Sequence, residues 1–213
     1  MTVTIAARAP ETVTAPATTT SADPADAPAG VEEVPGFVCR VARTEREREA
    51  YFALRRAIFC DEQRLFSFDD RDASDREAVP IVCLATGPVG AAEAPRVVGV
   101  VRIWEEAPGD WWGGRLGVDA DFRTVGTVGR RLIQTAVGTA RAWGAWRFRA
   151  TVQRPNVTFF RRLHWQSREE LTILGQPHHL MEANLERYPV TAEVRPPGSA
   201  STITAASEAC DAA

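Results

Sequence analysis

The residues best suited to chemistry fall between Leu116 and Ile133, reading LGVDADFRTVGTVGRRLI. Leu116 and Val118 alternate as in a strand, Phe122-Arg123 follows, and Gly126 and Gly129 lead into an amphipathic helical stripe. A strand, a glycine turn and a helix in that order bare backbone N–H groups at the positive end of a helix dipole, which suits a pyrophosphate. An anionic cofactor is therefore the first expectation. Proton-accepting side chains surround this segment: Glu62, then Glu105, Glu106 and Asp110 just before the strand, and His164, His178 and His179 after it. Each also has a bland reading as a solvated or packed polar residue. The acidic run Asp69–Glu77 could draw a cationic amine, although a merely solvated loop is the more economical reading. Arg102 stands inside an apolar run, so its charge needs a carboxylate, on the protein or on a substrate.

These side chains need elements to hold them. Phe37–Val41 reads as a first strand, and Thr44-Glu45-Arg46-Glu47 fits a capping box. Ala50, Tyr51, Leu54 and Ile58 then recur at helical spacing, with arginines expected on the outer face. Pro80–Ala85 and Val97–Trp104 read as buried strands, and the strand ending near Val118 pairs with the second of them as an antiparallel hairpin. The helix after Gly126 carries Leu132, Ile133, Ala136, Val137, Ala140 and Trp143 on one stripe, and Gly144 ends it. From Trp146 to Gln153 apolar and polar residues alternate, which predicts a strand with unlike faces. Pro155-Asn156 opens a short helix with Phe159, Phe160 and Leu163, and strands are expected at 171–174 and 179–185. The order β-α-β-β-β-α-β-α-β-β is that of an α+β, or mixed α/β, domain.

Composition narrows the partners. The 213 residues carry a net charge of −3, and every one of the 25 Lys+Arg is arginine. No basic cluster with interleaved aromatics stands out, so nucleic acid is not an expected partner. Cys39, Cys60, Cys83 and Cys210 lie far apart without a C-x-x-C, and three of them sit in apolar segments, which suits buried thiols in a reducing compartment. No apolar run is long enough to span a bilayer and the N-terminus has no leader pattern, so a soluble cytoplasmic protein is expected, without a membrane partner. Residues 1–34 and 191–213 are rich in Ala, Thr, Pro and acidic residues and read as disordered tails around one domain at 35–190.

The ordered set of motifs resembles the GCN5-related N-acetyltransferases, the GNAT family. That family's central motif, an L-x-V strand, an aromatic-Arg pair and [Q/R]-x-x-G-x-[G/A], matches Leu116-Gly117-Val118, Phe122-Arg123 and Arg123 to Val128. A second motif matches Asn156 to Trp165, and ALRRAIFCDEQ (Ala53–Gln63) is similar to the first-helix region of several bacterial members, among them acyl-homoserine-lactone-synthase-like proteins. The ending GQPHHLMEANL (Gly175–Leu185) is similar to a bacterial subgroup associated with nitrogen-starvation gene clusters.

The resemblance implies the GNAT fold, a central mixed, mostly antiparallel sheet flanked by helices. It implies acetyl-CoA, or another acyl-CoA, as co-substrate, with no metal. Backbone N–H groups of Val125, Gly126, Thr127, Val128, Gly129 and Arg130 would hold the pyrophosphate, and Arg123 and Phe160 would also belong to the cofactor site. The strand of Leu116 and Val118 would splay from that of Ala150 and Val152, with pantetheine between them and Asn156 bonded to its arm. A backbone N–H near Leu116 would stabilise the oxyanion of a tetrahedral intermediate, and Glu62 or Glu105 would deprotonate a small-molecule amine. Homodimers occur among members.

Three residues depart from the pattern: Val128 where Gly or Ala is usual, Phe160 where a tyrosine often stands to protonate the thiolate, and His164 in place of a glycine. Val128 and Phe160 leave open a non-catalytic acyl-CoA sensor, and the synthase-like region leaves open a longer acyl donor.

Overall fold

The computed structural model describes residues 36–86, 95–123 and 126–195. Val125 and nearly all of both tails lie outside the described residues. The elements run β1 (Phe37–Val41), α1 (Glu45–Arg56), a π-helical turn (Ala57–Glu62), β2 (Val79–Ala85), β3 (Arg96–Ala107) and β4 (Asp110–Val118). Then come α2 (Thr127–Ala142), β5 (Arg147–Gln153), α3 (Val157–Arg162), β6 (Trp165–Ile173) and β7 (Gln176–Ala183). The strands form one seven-stranded sheet in the order β1-β2-β3-β4-β5-β7-β6. Adjacent pairs are antiparallel except β4 and β5, which are parallel and joined through α2. This is the mixed, mostly antiparallel α+β sheet that the motif order predicts.

Each face of the sheet has its own apolar cluster. On one, Leu132, Ile133, Ala136, Val137 and Ala140 of α2 pack with Val98, Val101, Leu116, Val118 and Phe148. On the other, Tyr51 of α1 packs with Val82, Leu84 and Val100. The capping box forms: Thr44 Oγ1 accepts from the Glu47 N–H at 3.2 Å, and Glu47 also takes two bonds from Arg40, at 2.9 and 2.7 Å. Cys39 and Cys83 face each other across β1 and β2 as free thiols. No helix among the described residues is long and apolar enough to cross a membrane.

The parallel pair is what matters for a site. It registers at Asp110↔Arg147, Trp111↔Phe148 and Trp112↔Arg149 and goes no further, so Gly113–Val118 and Ala150–Gln153 part into a wedge. Beside the wedge, β4 has a bulge: Val100 pairs Gly117 and Arg102 pairs Gly114, leaving Arg115 and Leu116 opposite one residue. Arg115 takes the left-handed conformation there, with φ +53°.

Several sequence expectations need correction. Arg55 is not on the outer face of α1 but fully buried. The 69–77 segment is neither a solvated loop nor a lure for a cation. Asp70 is buried and Asp72 and Asp75 partly so, and together they grip three buried arginines across the sheet face. The partner of Arg102 is accordingly on the protein: Asp72, at 2.8 and 2.6 Å. The polar side of β5 is buried too, because Arg149 reaches Asp110 at 2.5 Å and lies over Trp112. β6 begins at Trp165 and not near 171, because an edge strand exposes Gln166, Arg168, Glu169 and Glu170 and shows no apolar alternation. At the other end of the domain, residues 191–195 still lie on it: Thr191 N–H donates to Gly138 and Trp143 Nε1 to the Glu193 carbonyl.

Candidate active site

The α2 N-terminus stands at the mouth of the wedge. Gly126 is its N-cap, with φ +64°, and no side chain caps it. A glycine suits this left-handed position, and a Cβ there would meet nothing within 4 Å, so the approach is open. The first turn holds no acidic residue. The first intrahelical bond of this turn is Arg130 N–H to the Gly126 carbonyl, at 3.2 Å. The N–H groups of Val128 and Gly129 precede it and have no helical carbonyl to meet. Arg130 itself spends its N–H within the helix, so the anion cradle is narrower than the sequence suggests. Such a terminus, uncapped and free of carboxylates, fits a pyrophosphate.

Val128 does not crowd this cradle. It is buried, and its Cγ1 lies 2.7 Å from where a Cβ would stand on Gly99, so the side chain points down into the sheet. Gly129 is the residue turned to the opening: a Cβ there would approach Phe159 and Val118, at 3.8 and 3.9 Å. Leu116, Val118, Phe122, Arg123, Gly126, Gly129 and Phe159 line one narrow cleft, with about 10 Å³ of free space. Sequence reasoning missed Phe122 and Phe159 as walls, although aromatic residues beside a glycine turn are a usable signal.

Deeper between the strands, a second, narrow apolar gap with about 10 Å³ of free space is bounded by Leu116, Ala136, Phe148, Ala150, Phe160 and Trp165. Phe160 is fully buried here, packed edge-on against Phe159 and Trp165. A third space, an open basin of about 920 Å³, lies at the wedge mouth among Glu62, Gln63, Gln153, Arg154, Asn156 and Gln176. Asn156 is buried at the start of α3, on the wall of this basin.

The two carboxylates expected to act as bases stand apart. Glu62 lies at the basin, but Arg123 holds it by two bonds of 2.6 Å while also donating to the Val118 carbonyl at 2.7 Å. The Arg123 hydrogen bonds push the Glu62 carboxyl below its ordinary range, which makes it a weaker base. The pair fastens the π-helical turn to the end of β4. Arg123 thus presents a neutralised guanidinium to the cleft.

Glu105 is opposite Trp111, at the closed end of the wedge. It accepts from Gly109 N–H at 2.7 Å and pairs with Arg195. Five residues of strand separate Trp111 from Leu116, about 16 Å. The structure therefore does not bring Glu105 to the cleft. Glu106 accepts from Trp104 Nε1, and Asp110 is spent on Arg147 and Arg149. His164 occupies a left-handed turn, φ +62°, between α3 and β6, which is the physical reason a glycine suits that position.

Comparison with protein-family models matches residues 47–165 to the acetyltransferase (GNAT) family. The chain belongs to the GNAT family. The GNAT fold is seen again in solved structures. A putative N-acetyltransferase from Lactobacillus plantarum superposes with a TM-score of 0.60 at 21% identity, covering 70% of this chain and 99% of that one. Escherichia coli ElaA gives 0.56 at 19% identity, covering 70% and 98%. FeeM, an N-acyl amino acid synthase from uncultured soil microbes, gives 0.54 at 14% identity, covering 73% and 95%. Comparison with curated protein sequences returns no match. The GNAT assignment makes this chain an N-acyltransferase whose family co-substrate is an acyl-CoA.

Proposed function

We propose that this GNAT chain moves an acetyl group from acetyl-CoA to the amine of a small molecule, by direct attack through a tetrahedral intermediate. One observation carries the reading: β4 and β5 part after Trp112 and Arg149, and the uncapped N-terminus of α2 stands at the opening. The α2 terminus, from Gly126 to Gly129, holds the pyrophosphate. The exposed edges of Gly113–Val118 and Ala150–Gln153 offer peptide groups to the amides of pantetheine, with Asn156 at its arm. A backbone N–H of the Leu116–Val118 segment stabilises the oxyanion, the largest electrostatic contribution expected in acyl transfer. Phe160 offers no proton to the departing sulfur. A thiolate of ordinary pKa, about 8.5, leaves without a positioned acid, at a cost of about 10²–10⁴-fold in rate.

The apolar gap behind Leu116 favours a second reading of the donor. A straight acyl chain longer than acetyl would meet the apolar side chains of Ala136, Phe148, Ala150 and Phe160 there, which would have to part to admit it. Calorimetric titration with acetyl-CoA and with hexanoyl-CoA, then a thiol-release assay over a panel of amines, tests both. Tight binding with acceptor-dependent thiol release supports the transferase, and the preferred donor gives the chain length. Tight binding without such release supports an acyl-CoA sensor. No binding of either overturns the whole assignment.

A further inference from the structure

β4 changes its facing partway along. A Cβ on Gly113 would meet Phe148 at 3.0 Å, on the α2 side of the sheet. One on Gly114 would meet Trp104 and Arg102, at 3.1 and 3.2 Å, on the other side. Strict alternation would then put Leu116 on the side of Gly114. Leu116 and Val118 instead pack with α2, and Gly117 comes against Ile58 of the π-helical turn. The change is made at Arg115, the first of the two residues that oppose one residue of β3. A left-handed bulge of this kind ordinarily begins with glycine, because a Cβ strains the conformation. Arg115 takes it with a full side chain, at φ +53°.

Such a residue persists only where its surroundings over-determine it. Nε and Nη2 of Arg115 donate to the Asp70 carbonyl at 3.1 and 2.8 Å, and Nη2 reaches the Asp72 carboxylate at 3.1 Å. Asp70 Oδ2 stands 3.0 Å from Nε, and the Phe66 ring lies 4.6 Å from the guanidinium. Arg115 and Asp70 are each 1% exposed. What the bulge delivers is one peptide group. Asp119 N–H donates to Val98 of β3 at 2.9 Å. Alternation along an antiparallel ladder then turns the N–H and carbonyl of Val118 away from β3, to the side that β5 has left. The carbonyl accepts there from Arg123 Nε at 2.7 Å, inside the cleft at the α2 terminus. The Val118 N–H faces the same way.

We propose that Arg115 is a positioning residue: anchored on Asp70 and Asp72, it holds the left-handed bulge that aims the Val118 N–H at the thioester carbonyl. This rests on the acyl-CoA reading above. Without the extra residue the alternation reverses, so Val118 would pair with β3 and its N–H would leave the gap. Arg115 itself touches neither substrate nor cofactor. Its side chain lies on the far face of the sheet from α2, and it acts only through the backbone beside it.

The test compares Arg115→Ala with Arg115→Gly in the full chain. Both lose the guanidinium and leave the same carboxylates behind, but glycine alone enters the left-handed region without strain. Acetyl-CoA labelled with ¹³C at its carbonyl is bound to each, and the infrared carbonyl stretch is read. On wild type the stretch should fall below that of free acetyl-CoA. Arg115→Ala should abolish that shift and Arg115→Gly should retain most of it, with affinity in both within about threefold of wild type. Any other pattern of shifts overturns the proposal. Should either variant fail to fold, amide spectra of the wild type decide. The Val118 N–H must shift more with acetyl-CoA than with CoA, which has no acyl carbonyl, and the Arg115 Nε–H must stay protected from exchange. Equal shifts with the two ligands, or rapid exchange at Nε, overturn the proposal too. If wild type does not bind acetyl-CoA, the acyl-CoA reading falls and this proposal with it. Binding with the wrong pattern removes only the role of Arg115.

Discussion

At the scale of single residues, the cradle depends on what is missing. Gly126 has no side chain, no neighbour within 4 Å of a Cβ, and no competing carboxylate in the helical turn it opens. Gly126→Asp would place a negative group where the pyrophosphate is proposed to sit, on a left-handed backbone, φ +64°, that Asp tolerates better than most side chains. Acetyl-CoA affinity should drop by at least about tenfold, a loss of about 1.4 kcal/mol in binding. The thermal midpoint should stay within a few degrees, and calorimetry with thermal unfolding checks both. Phe160→Tyr is the complementary case. Restoring the phenol of other members would bury a hydroxyl among Phe159, Trp165 and the α2 stripe, with a cost of about 1–3 kcal/mol. Denaturant unfolding should show that loss, with no gain in turnover. The glycine turn was legible from local pattern alone. The harmlessness of Val128 was not, because it depends on Gly99, a residue 29 positions earlier in the chain.

At the scale of elements, the segment from Asp69 to Glu77 is a clasp. Its short 3₁₀ turn, Ala73–Arg76, carries its own capping box from Asp72 and Asp75. The same carboxylates hold Arg55 of α1, Arg102 of β3 and Arg115 of β4. Burial alone would raise the Asp72 and Asp75 carboxyls. For Asp72 the hydrogen bonds and charge of Arg102 outweigh it, and for Asp75 the bonds of Arg55 and the charge of Arg102 do, so both are held below the ordinary range. A depressed folded-state value adds stability above the unfolded carboxylate pKa, about 3.9, and loses it as pH falls through the folded value. The thermal midpoint should therefore hold down to about pH 5 and fall steeply below about pH 4, read by a pH series of melts. Periodicity located β1, α1 and the β3–β4 hairpin, but opposite charges 15 to 45 residues apart leave no periodic trace. Arginines that local spacing assigns to solvent turn out to be tied inside.

At the scale of the whole molecule, the chain closes over α2 after its last turn. Gly138 admits this crossing, since a Cβ there would stand 2.5 Å from the Pro189 carbonyl oxygen. Thr191, Glu193 and Arg195 then reach Thr139, Trp143 and Glu105 in turn. Cutting the chain after Val190 should remove at least about 2 kcal/mol, at roughly 1 kcal/mol per bond, and lower the thermal midpoint by about 5 °C. Melting curves of the two lengths test it. The sequence hides this strap because its composition continues the tail, and no local pattern marks Thr191 for contact with α2.

The wedge has a thermodynamic side. A sheet that stops pairing after three rungs leaves the strands β1–β4 and β5–β7 joined by that short seam and by the packing of α2 and its neighbours. A guest whose amides span the gap would act as an interposed strand, completing a ladder that the polypeptide leaves unfinished. Its binding energy would then be folding energy for both halves together. Under the proposed reading, saturating acetyl-CoA should therefore raise the thermal midpoint, and it should slow hydrogen exchange at Leu116–Val118 and Ala150–Val152 as well as at the helix end near Gly126. Protection confined to the helix end would mean that the halves are already one rigid body before any guest arrives.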